Sequence, residues 1–374
     1  MIKTICLVLN NFKNDSRVLK TSLSLSANKY EVSIIALHDN GQLVSEKVQG
    51  IQVDRIKLIS RSWSKHKIVQ LIKLIEWTLV ATWRARAADI IHCNDLNTLH
   101  VGIALKLLSI GRIKVVYDAH EYETEINGIS GAEKILMSWF ERGLIKFADK
   151  VITVSNGIAE EYARLYNIEK PALVLNCPPY RAVCKNNLFR EKLGIAAEQT
   201  VFLYQGGLSK GRGIELLLET FASLDADSVI VFMGYGPLEG LIKDLASAHK
   251  NIYFHPAVAP DVLLAYTSSA DFGISTIENK CLSYYYCLPN KLFEYLMVGL
   301  PVIVSNLHEM KKLVEQNGIG VVAEENTVQG LQQAIRHAEK LDKTVVRENI
   351  DKIKRIYCWE EQERILLKDV YRDL

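Results

Sequence analysis

The sequence predicts an α/β protein made of two doubly wound parallel sheets. Three observations predict it. Short apolar runs alternate with helical patterns along most of the chain. A proline-containing, aperiodic stretch, Asn176–Asn187, interrupts that alternation near the middle. The length of 374 residues is too great for one ordinary core and suits two. The expected domains are residues 1–178 and 179–359, with a terminal helix at 360–374 packing back on the first.

In the first half, Ile5–Leu9 reads as a strand and Ser16–Ala27 as a helix capped by Asp15 or Ser16. Glu31–Leu37 and Ile51–Leu58 are strands. Ile68–Arg86 is a helix with Ile68, Leu71, Ile72, Ile75 and Leu79 on one stripe. Asp89–Cys93 and Lys114–Tyr117 are strands around a Leu99–Leu108 helix. Ala132–Phe147 is a helix, Lys150–Val154 a strand, and Ala172–Leu175 closes the half. After the linker come the strand Thr200–Tyr204, the helix Gly213–Ser223, the strand Ser228–Met233 and the helix Leu238–Ala248. Asn251–Phe254 and Phe272–Ser275 are strands, Leu292–Val298 a helix, Val302–Val304 a strand and Glu309–Gln316 a helix. Trp359–Leu374 is a strongly amphipathic terminal helix.

Composition narrows the function classes. Apolar residues make up 49% and charged residues 24%, the balance of a soluble globular protein. A net charge of +2 implies no nucleic-acid partner. Seven cysteines without a CxxC pair argue against a disulfide framework and against zinc, and fit a reducing cytoplasm. The opening MIKTICLVLN reads as a first strand rather than a cleaved signal, and no run of about 18 apolar residues is present.

Open parallel sheets bind ligands beyond the carboxyl ends of their strands, and two facing sheets make a cleft. In the second half, Val201–Phe221 carries a strand into a glycine-rich loop, Gly206 and Gly207 with Lys210 and Arg212, and then a helix. Glycines let backbone N–H groups approach a phosphate, and the basic side chains add full charge. An ordinary βα turn with solvated basic residues fits the same residues. Gly234-Tyr235-Gly236-Pro237 resembles the start of a dinucleotide fingerprint. Its third glycine comes one residue late, so a tight strand-to-helix turn is the better reading. In Leu288–Ser305, Asn290 reads as the N-cap of a helix whose first free N–H groups belong to Lys291 and Leu292. Glu294 near that end suits a ribose diol, or simply complements the helix dipole.

At this point the chain resembles family 4 of the glycosyltransferases along nearly its whole length. Arg212-Gly213 with the helix Leu217–Phe221, and NKLFEYLMVGLPVI around Glu294, carry the resemblance. It implies the GT-B architecture, two Rossmann-like domains facing a central cleft. It also implies retaining transfer from a nucleoside-diphosphate sugar, UDP- or GDP-linked, with no cofactor or metal. Arg212 would bind the donor diphosphate, Glu294 the ribose, and backbone near Ala257 and Val258 the base. Two positions depart from the family. Gly207 stands where a second basic residue is usual, leaving that contact to Lys210 or missing. Tyr286 stands where the first of two glutamates touches the transferred sugar, which leaves Glu278 or the Tyr284–Tyr286 loop for that contact.

In the first half, Tyr117–Glu125 places His120 among four carboxylates just after a strand. Taken alone it fits a solvated acidic loop. By the resemblance, His120 lies near the transferred sugar, with Glu121 as its catalytic neighbour. His92 and Asp95 follow the preceding strand, and Asn11, Asp15 and Arg17 follow the first. These five are read as acceptor-side residues, with capping and helix pairing as the alternative for Asp15 and Arg17. The acceptor implied is a glycan or lipid-linked sugar in cell-surface polysaccharide synthesis.

Between Val53 and Arg86, eight Lys/Arg, Lys65 among them, stand against two acids, with Trp63, Trp77 and Trp83 interspersed. That pattern fits an anionic membrane surface on the inner face of the cell membrane, or a helix packed on its own sheet with a solvated basic face. Three other functions stay open. A sugar-nucleotide 2-epimerase of the same fold would need more acids and histidines at the donor sugar. A nicotinamide-dependent oxidoreductase would need an intact glycine fingerprint. A non-catalytic sugar-nucleotide-binding protein would account for Tyr286.

Overall fold

The computed structural model describes residues 1–13, 15–64 and 66–374. Asn14, in the motif after the first strand, and Lys65, in the basic stretch, lie outside the described residues. Met1–Val174 with Glu363–Leu374 forms one compact unit and Leu175–Gln362 the other.

In the first unit the order is β1 (Ile2–Leu7), α1 (Ser16–Ala27), β2 (Tyr30–Leu37), β3 (Ser45–Val48), β4 (Ile51–Ile56), α2 (Lys67–Ala85) and β5 (Ile90–Asn94). Then follow α3 (Leu96–Leu108), β6 (Lys114–Ala119), α4 (Gly131–Leu144), β7 (Lys150–Thr153), α5 (Asn156–Tyr166) and β8 (Ala172–Leu173). The strands form one sheet ordered β3-β4-β2-β1-β5-β6-β7-β8. Every pairing is parallel except β3 with β4. Burial on both faces explains the continuous apolar runs: Cys6, Val8, Ile34, Ala36 and Val53 share one core cluster. β3 reads Ser-Glu-Lys-Val and has no apolar run to announce it. An antiparallel edge strand needs only its backbone ladder. Asp15 does cap α1, accepting from the Val18 N–H.

The α2 stripe departs from the usual relation between pattern and burial. Ile68, Leu71, Ile72, Ile75 and Leu79 face outward. α2 packs instead through Trp77, Ala81 and Ala85. Trp77 is therefore a core residue, not part of a surface shared with Trp63 and Trp83.

The second unit begins with the segment after β8 and α6 (Leu188–Leu193). Next come β9 (Thr200–Gly207), α7 (Ile214–Ala222), β10 (Ser228–Tyr235), α8 (Glu239–Ala248), β11 (Ile252–Pro256), α9 (Leu263–Thr267) and β12 (Phe272–Ser275). After these are α10 (Leu282–Tyr285), α11 (Asn290–Met297), β13 (Val302–Ser305), α12 (His308–Asn317), β14 (Gly320–Ala323), α13 (Val328–Glu339) and α14 (Lys343–Ile353). In α15 (Trp359–Ile365) the chain passes back to the first unit, ending in a π-helical turn, Leu366–Tyr371. The sheet, ordered β11-β10-β9-β12-β13-β14, is parallel throughout. Its core gathers Phe202, Tyr204, Phe221, Phe232 and Phe272 with helix residues such as Leu217 and Ile335.

Two sequence expectations are corrected here. Asn290 is the first residue of α11 and makes no side-chain cap; Pro289 holds the cap position. Glu294 consequently stands one turn inside the helix rather than in its first turn.

Candidate active site

In the second unit the site grows from the end of β9. Gly206 has φ +113 and lies exposed with Gly207 at the strand's carboxyl end. A Cβ on Gly206 would come within 3.8 Å of Lys291 Cε, which places the Lys291 side chain against that glycine. The loop then turns through Gly211 and Gly213 into α7. Gly213 has φ +75, and a Cβ there would lie 1.9 Å from the Thr276 carbonyl, so only glycine passes.

Lys291 is buried at the start of α11, 3.5 Å above the centre of the Tyr204 ring. Its ammonium has no hydrogen-bond partner. Burial first, and then the Arg212 charge, hold its pKa well below the ordinary lysine value; Glu294 pulls the other way. Arg212 lies over the Tyr284 ring at 5.1 Å. Thr276 Oγ1, beside Gly213, is also buried without a partner. Buried polar groups are normally satisfied, so two unsatisfied groups beside glycines of the β9–α7 connection mark a place built for something else.

Glu294 accepts from the Gln205 amide N–H, while Gln205 Oε1 accepts from Thr267 Oγ1 at 2.8 Å. Tyr295 locks the helix above: its hydroxyl accepts from Gln205 N and donates to Leu203 O at 3.0 Å. Gly273 makes room for that ring, since a Cβ would lie 2.3 Å from it. The carboxylate is thus oriented from β9, α9 and α11 together.

The other donor-side residues are spread more widely. Lys210 is exposed, and Leu292 is buried in α11. Ala257 and Val258 follow β11, the edge strand beyond β10. Tyr286 caps the C-terminus of α10, its ring 5.6 Å from His308 and 5.0 Å from Tyr285. Glu278 is paired with Lys280 at 2.8 Å. In the Gly-Tyr-Gly turn, Gly234 and Gly236 are required by the adjacent backbone. Added Cβ atoms would meet Gly206 O at 1.9 Å and Leu208 O at 2.4 Å. The turn reading of that motif holds.

In the first unit the carboxyl ends of β5 and β6 bring titratable groups together. His120 Nδ1 lies 3.2 Å from Asp95 Oδ1, and its Nε2 lies 3.2 Å from Asn94 Oδ1. Asp95 sits at φ +63, rare for a residue with a side chain, with its N–H bonded to Asp118 O at 2.9 Å. Burial disfavours the His120 cation, but Asp95 and Asp118 outweigh it and raise its pKa. Burial would raise the Asp118 pKa; Arg17 and His120 reverse this and hold it well below the usual range. Burial, then the Asp95 charge, push Glu123 well above the ordinary value.

Two residues read as acceptor-side belong to the interior. Arg17 grips Asp118 through Nε at 3.0 Å and Nη2 at 2.6 Å, and donates to Val174 O. His92 is fully buried, with Nδ1 2.7 Å from the Tyr371 hydroxyl and Nε2 3.3 Å from Asp118. Neither presents a free surface to an acceptor; both hold Asp118. Asn11 bonds Asp39 at 3.5 Å and the Lys13 N–H at 3.3 Å. Glu121 is exposed beside His120 in sequence.

Residues 16–177 match the model of Glycosyltransferase Family 4, and residues 199–340 match that of Glycosyl transferases group 1. The chain is a glycosyltransferase, its first half matching family 4 and its second half group 1.

An uncharacterised glycosyltransferase of Methanocaldococcus jannaschii is 24% identical over 318 residues, 79% of this chain and 78% of that one. Three solved structures share the fold. Sucrose-phosphate synthase from Thermosynechococcus elongatus has a TM-score of 0.81 at 16% identity, over 100% of this chain and 99% of that one. HepE of Anabaena, solved in complex with UDP-glucose, has 0.75 at 16%, over 100% of both. WaaG, a glycosyltransferase involved in lipopolysaccharide biosynthesis, has 0.69 at 16%, over 98% and 100%. These likenesses show the GT-B fold of two parallel-sheet α/β domains.

Sequence reasoning missed several residues of this glycosyltransferase. Gln205 and Tyr295 orient Glu294, and Tyr204 floors Lys291. Asp118 was visible only as one acid of an acidic loop. Gln205 stands directly before the paired glycines, a signal that was available. Tyr204 and Tyr295 read as ordinary core aromatics, and no spacing rule would have linked them to the site.

Proposed function

We propose that this glycosyltransferase moves a sugar, with retention, from a nucleoside-diphosphate donor to a glycan or lipid-linked acceptor in cell-surface polysaccharide synthesis. The observation that carries the donor assignment is Lys291: a buried ammonium without a hydrogen-bond acceptor, beside Arg212 and an exposed glycine strand end. A diphosphate supplies the missing acceptor and charge. Glu294, aimed by Gln205, takes the ribose diol. Backbone at Ala257 and Val258 faces the base, and Lys210 reaches the diphosphate from outside. Tyr286 lies on the sugar side.

In this proposal the C1–O bond to the diphosphate breaks while the acceptor oxygen bonds C1 on the same face. The acceptor proton passes to the leaving phosphate oxygen, so no cofactor and no metal is required. Arg212 and Lys291 stabilise the developing phosphate charge. His120, oriented by Asp95, acts at the transferred sugar, with Asn11 and Asp15 on the acceptor side. A lipid-linked acceptor brings the enzyme to the inner face of the cell membrane as a cytoplasmic, peripheral protein.

The test is a thermal-shift screen with UDP, GDP, dTDP, CDP and NAD. A ligand that binds only the folded state raises the melting temperature. One nucleoside diphosphate is expected to do so, with the shift lost in Arg212→Ala and Glu294→Ala. A shift with NAD alone, or unchanged nucleotide affinity in both variants, overturns the donor site.

A further inference from the structure

Two helices of the first unit are built inside out. A helix on a globular sheet normally turns its apolar stripe inward and its polar face to water. α2 turns Leu71, Ile72, Ile75, Leu79 and Trp83 outward, with Trp83 63% exposed. Its inward contacts are Trp77 and two alanines, joined by polar bonds. Glu76 accepts from the Ile59 and Ser60 N–H groups, and Thr78 meets His100 Nε2 at 2.7 Å.

α4 shows the same inversion more sharply. Its one buried residue is Glu141. That carboxylate accepts hydroxyls from Tyr117, Tyr162 and Tyr166 at 2.6, 2.9 and 2.5 Å, a polar bolt to β6 and α5. Outward from α4 stand Ile135, Leu136, Trp139 and Phe140, with Trp139 73% and Leu136 71% exposed. His100 of α3 ties the two helices together, bonding Thr78 on one side and packing its ring 5.9 Å from Phe140 on the other.

The outward apolar residues of α2 and α4 thus flank His100 on its two sides. Basic side chains border this face: Arg86 stacks 4.3 Å over Trp83 and Arg142 is exposed on α4, against the exposed acid Glu133, while Arg84 turns back toward Arg55 O. Two copies meeting through this face would bring like charges together, whereas anionic headgroups neutralise them. Tryptophans beside basic residues on an apolar face match the headgroup–acyl boundary. No helix among the described residues is long and apolar enough to cross a membrane.

We infer that the α2–α4 face is a docking surface for an anionic lipid bilayer, with both helices lying in the plane of the interface. The inference deepens the peripheral-membrane part of the proposed function and rests on it. Its key element is α4, which lies outside the basic stretch visible in the sequence.

The experiment is flotation of the full chain with phosphatidylcholine vesicles, with and without about a third phosphatidylglycerol. Nucleotide thermal shift is measured on the same samples. The wild type is expected to float with the anionic vesicles and far less with the neutral ones. Leu136→Ser/Trp139→Ser and Leu71→Ser/Leu79→Ser are each expected to lower vesicle affinity by roughly tenfold or more. Their nucleotide shift should equal that of the wild type, which certifies the fold. If the wild type floats and both double variants float equally well, this surface is wrong and the peripheral-membrane reading survives. If the wild type does not float, both fall. A dimer that comes apart in the variants, without vesicle binding, would assign the face to a second copy. Loss of the nucleotide shift in the wild type bears on the donor site alone.

Discussion

The two units treat buried charge in opposite ways. In the first, Asp118 is held by two bonds from Arg17 and approached by His92 and His120. His92 is held in turn by Tyr371. Each group has its counterpart inside the protein. In the second, Lys291 is also buried but has no acceptor, and the strongest charge acting on it, Arg212, repels it. A closed network gives geometry and pKa control. An open one stores an unmet demand for negative charge. On the proposed function, the first network positions groups and the second captures the donor's anion.

The largest expected effect breaks the closed network. Arg17→Ala strands a buried carboxylate and should cost about 3–5 kcal/mol in chemical denaturation. The linkage signs are fixed. Asp118, with a depressed folded pKa, stabilises above its ordinary value of 3.8 and loses this as pH falls through the folded value. His120, with a raised folded pKa, stabilises below 6.5 and loses this as pH rises through the folded value.

Lys291→Met makes the opposite test. Removing an unpaired buried charge should leave stability unchanged or higher. Nucleoside-diphosphate affinity should fall by about 1.5–3 kcal/mol, the scale of a charged hydrogen bond, in calorimetric titration. If the variant is strongly destabilised with affinity intact, Lys291 belongs to a closed network after all.

Glu141→Gln is expected to cost about 1–3 kcal/mol, because the amide nitrogen faces a tyrosine hydroxyl that formerly found a carboxylate oxygen. It should leave the nucleotide shift untouched. The smallest effect is on proton uptake. A diphosphate raises the depressed Lys291 pKa back toward 10.5, so binding takes up a proton. Affinity should weaken as pH rises through the free-form value. Titrations in buffers of different ionisation enthalpy read that proton directly.

Much of the architecture was legible because parallel strands buried on both faces write themselves as apolar runs. Phe272–Ser275 was read at its exact bounds, and β9, α7 and α11 within a few residues. β3 was not, since an edge hairpin of Ser-Glu-Lys-Val needs no apolar side chains. Nothing was read between Gln316 and Trp359, where β14, α13 and α14 lie. At the sites, Arg212, Lys291 and Glu294 stood out because chain-local glycines and a helix start surround them. The tyrosines around Glu141 did not, being 21 to 25 residues away along the chain.

By itself the sequence determined the alternation of strands and helices, the break between the halves, and the glycine and helix-start motifs of the second unit. All of these depend on residues close together in the chain. Only the tertiary structure decided that Arg17 and His92 turn inward to Asp118, that Lys291 is left without a partner, and that the α2 stripe faces out. Periodicity reports that a helix has an apolar face. Which way that face points depends on what the opposite face can bond to, and here buried alanines, a glutamate and three tyrosines from distant elements took the inner side.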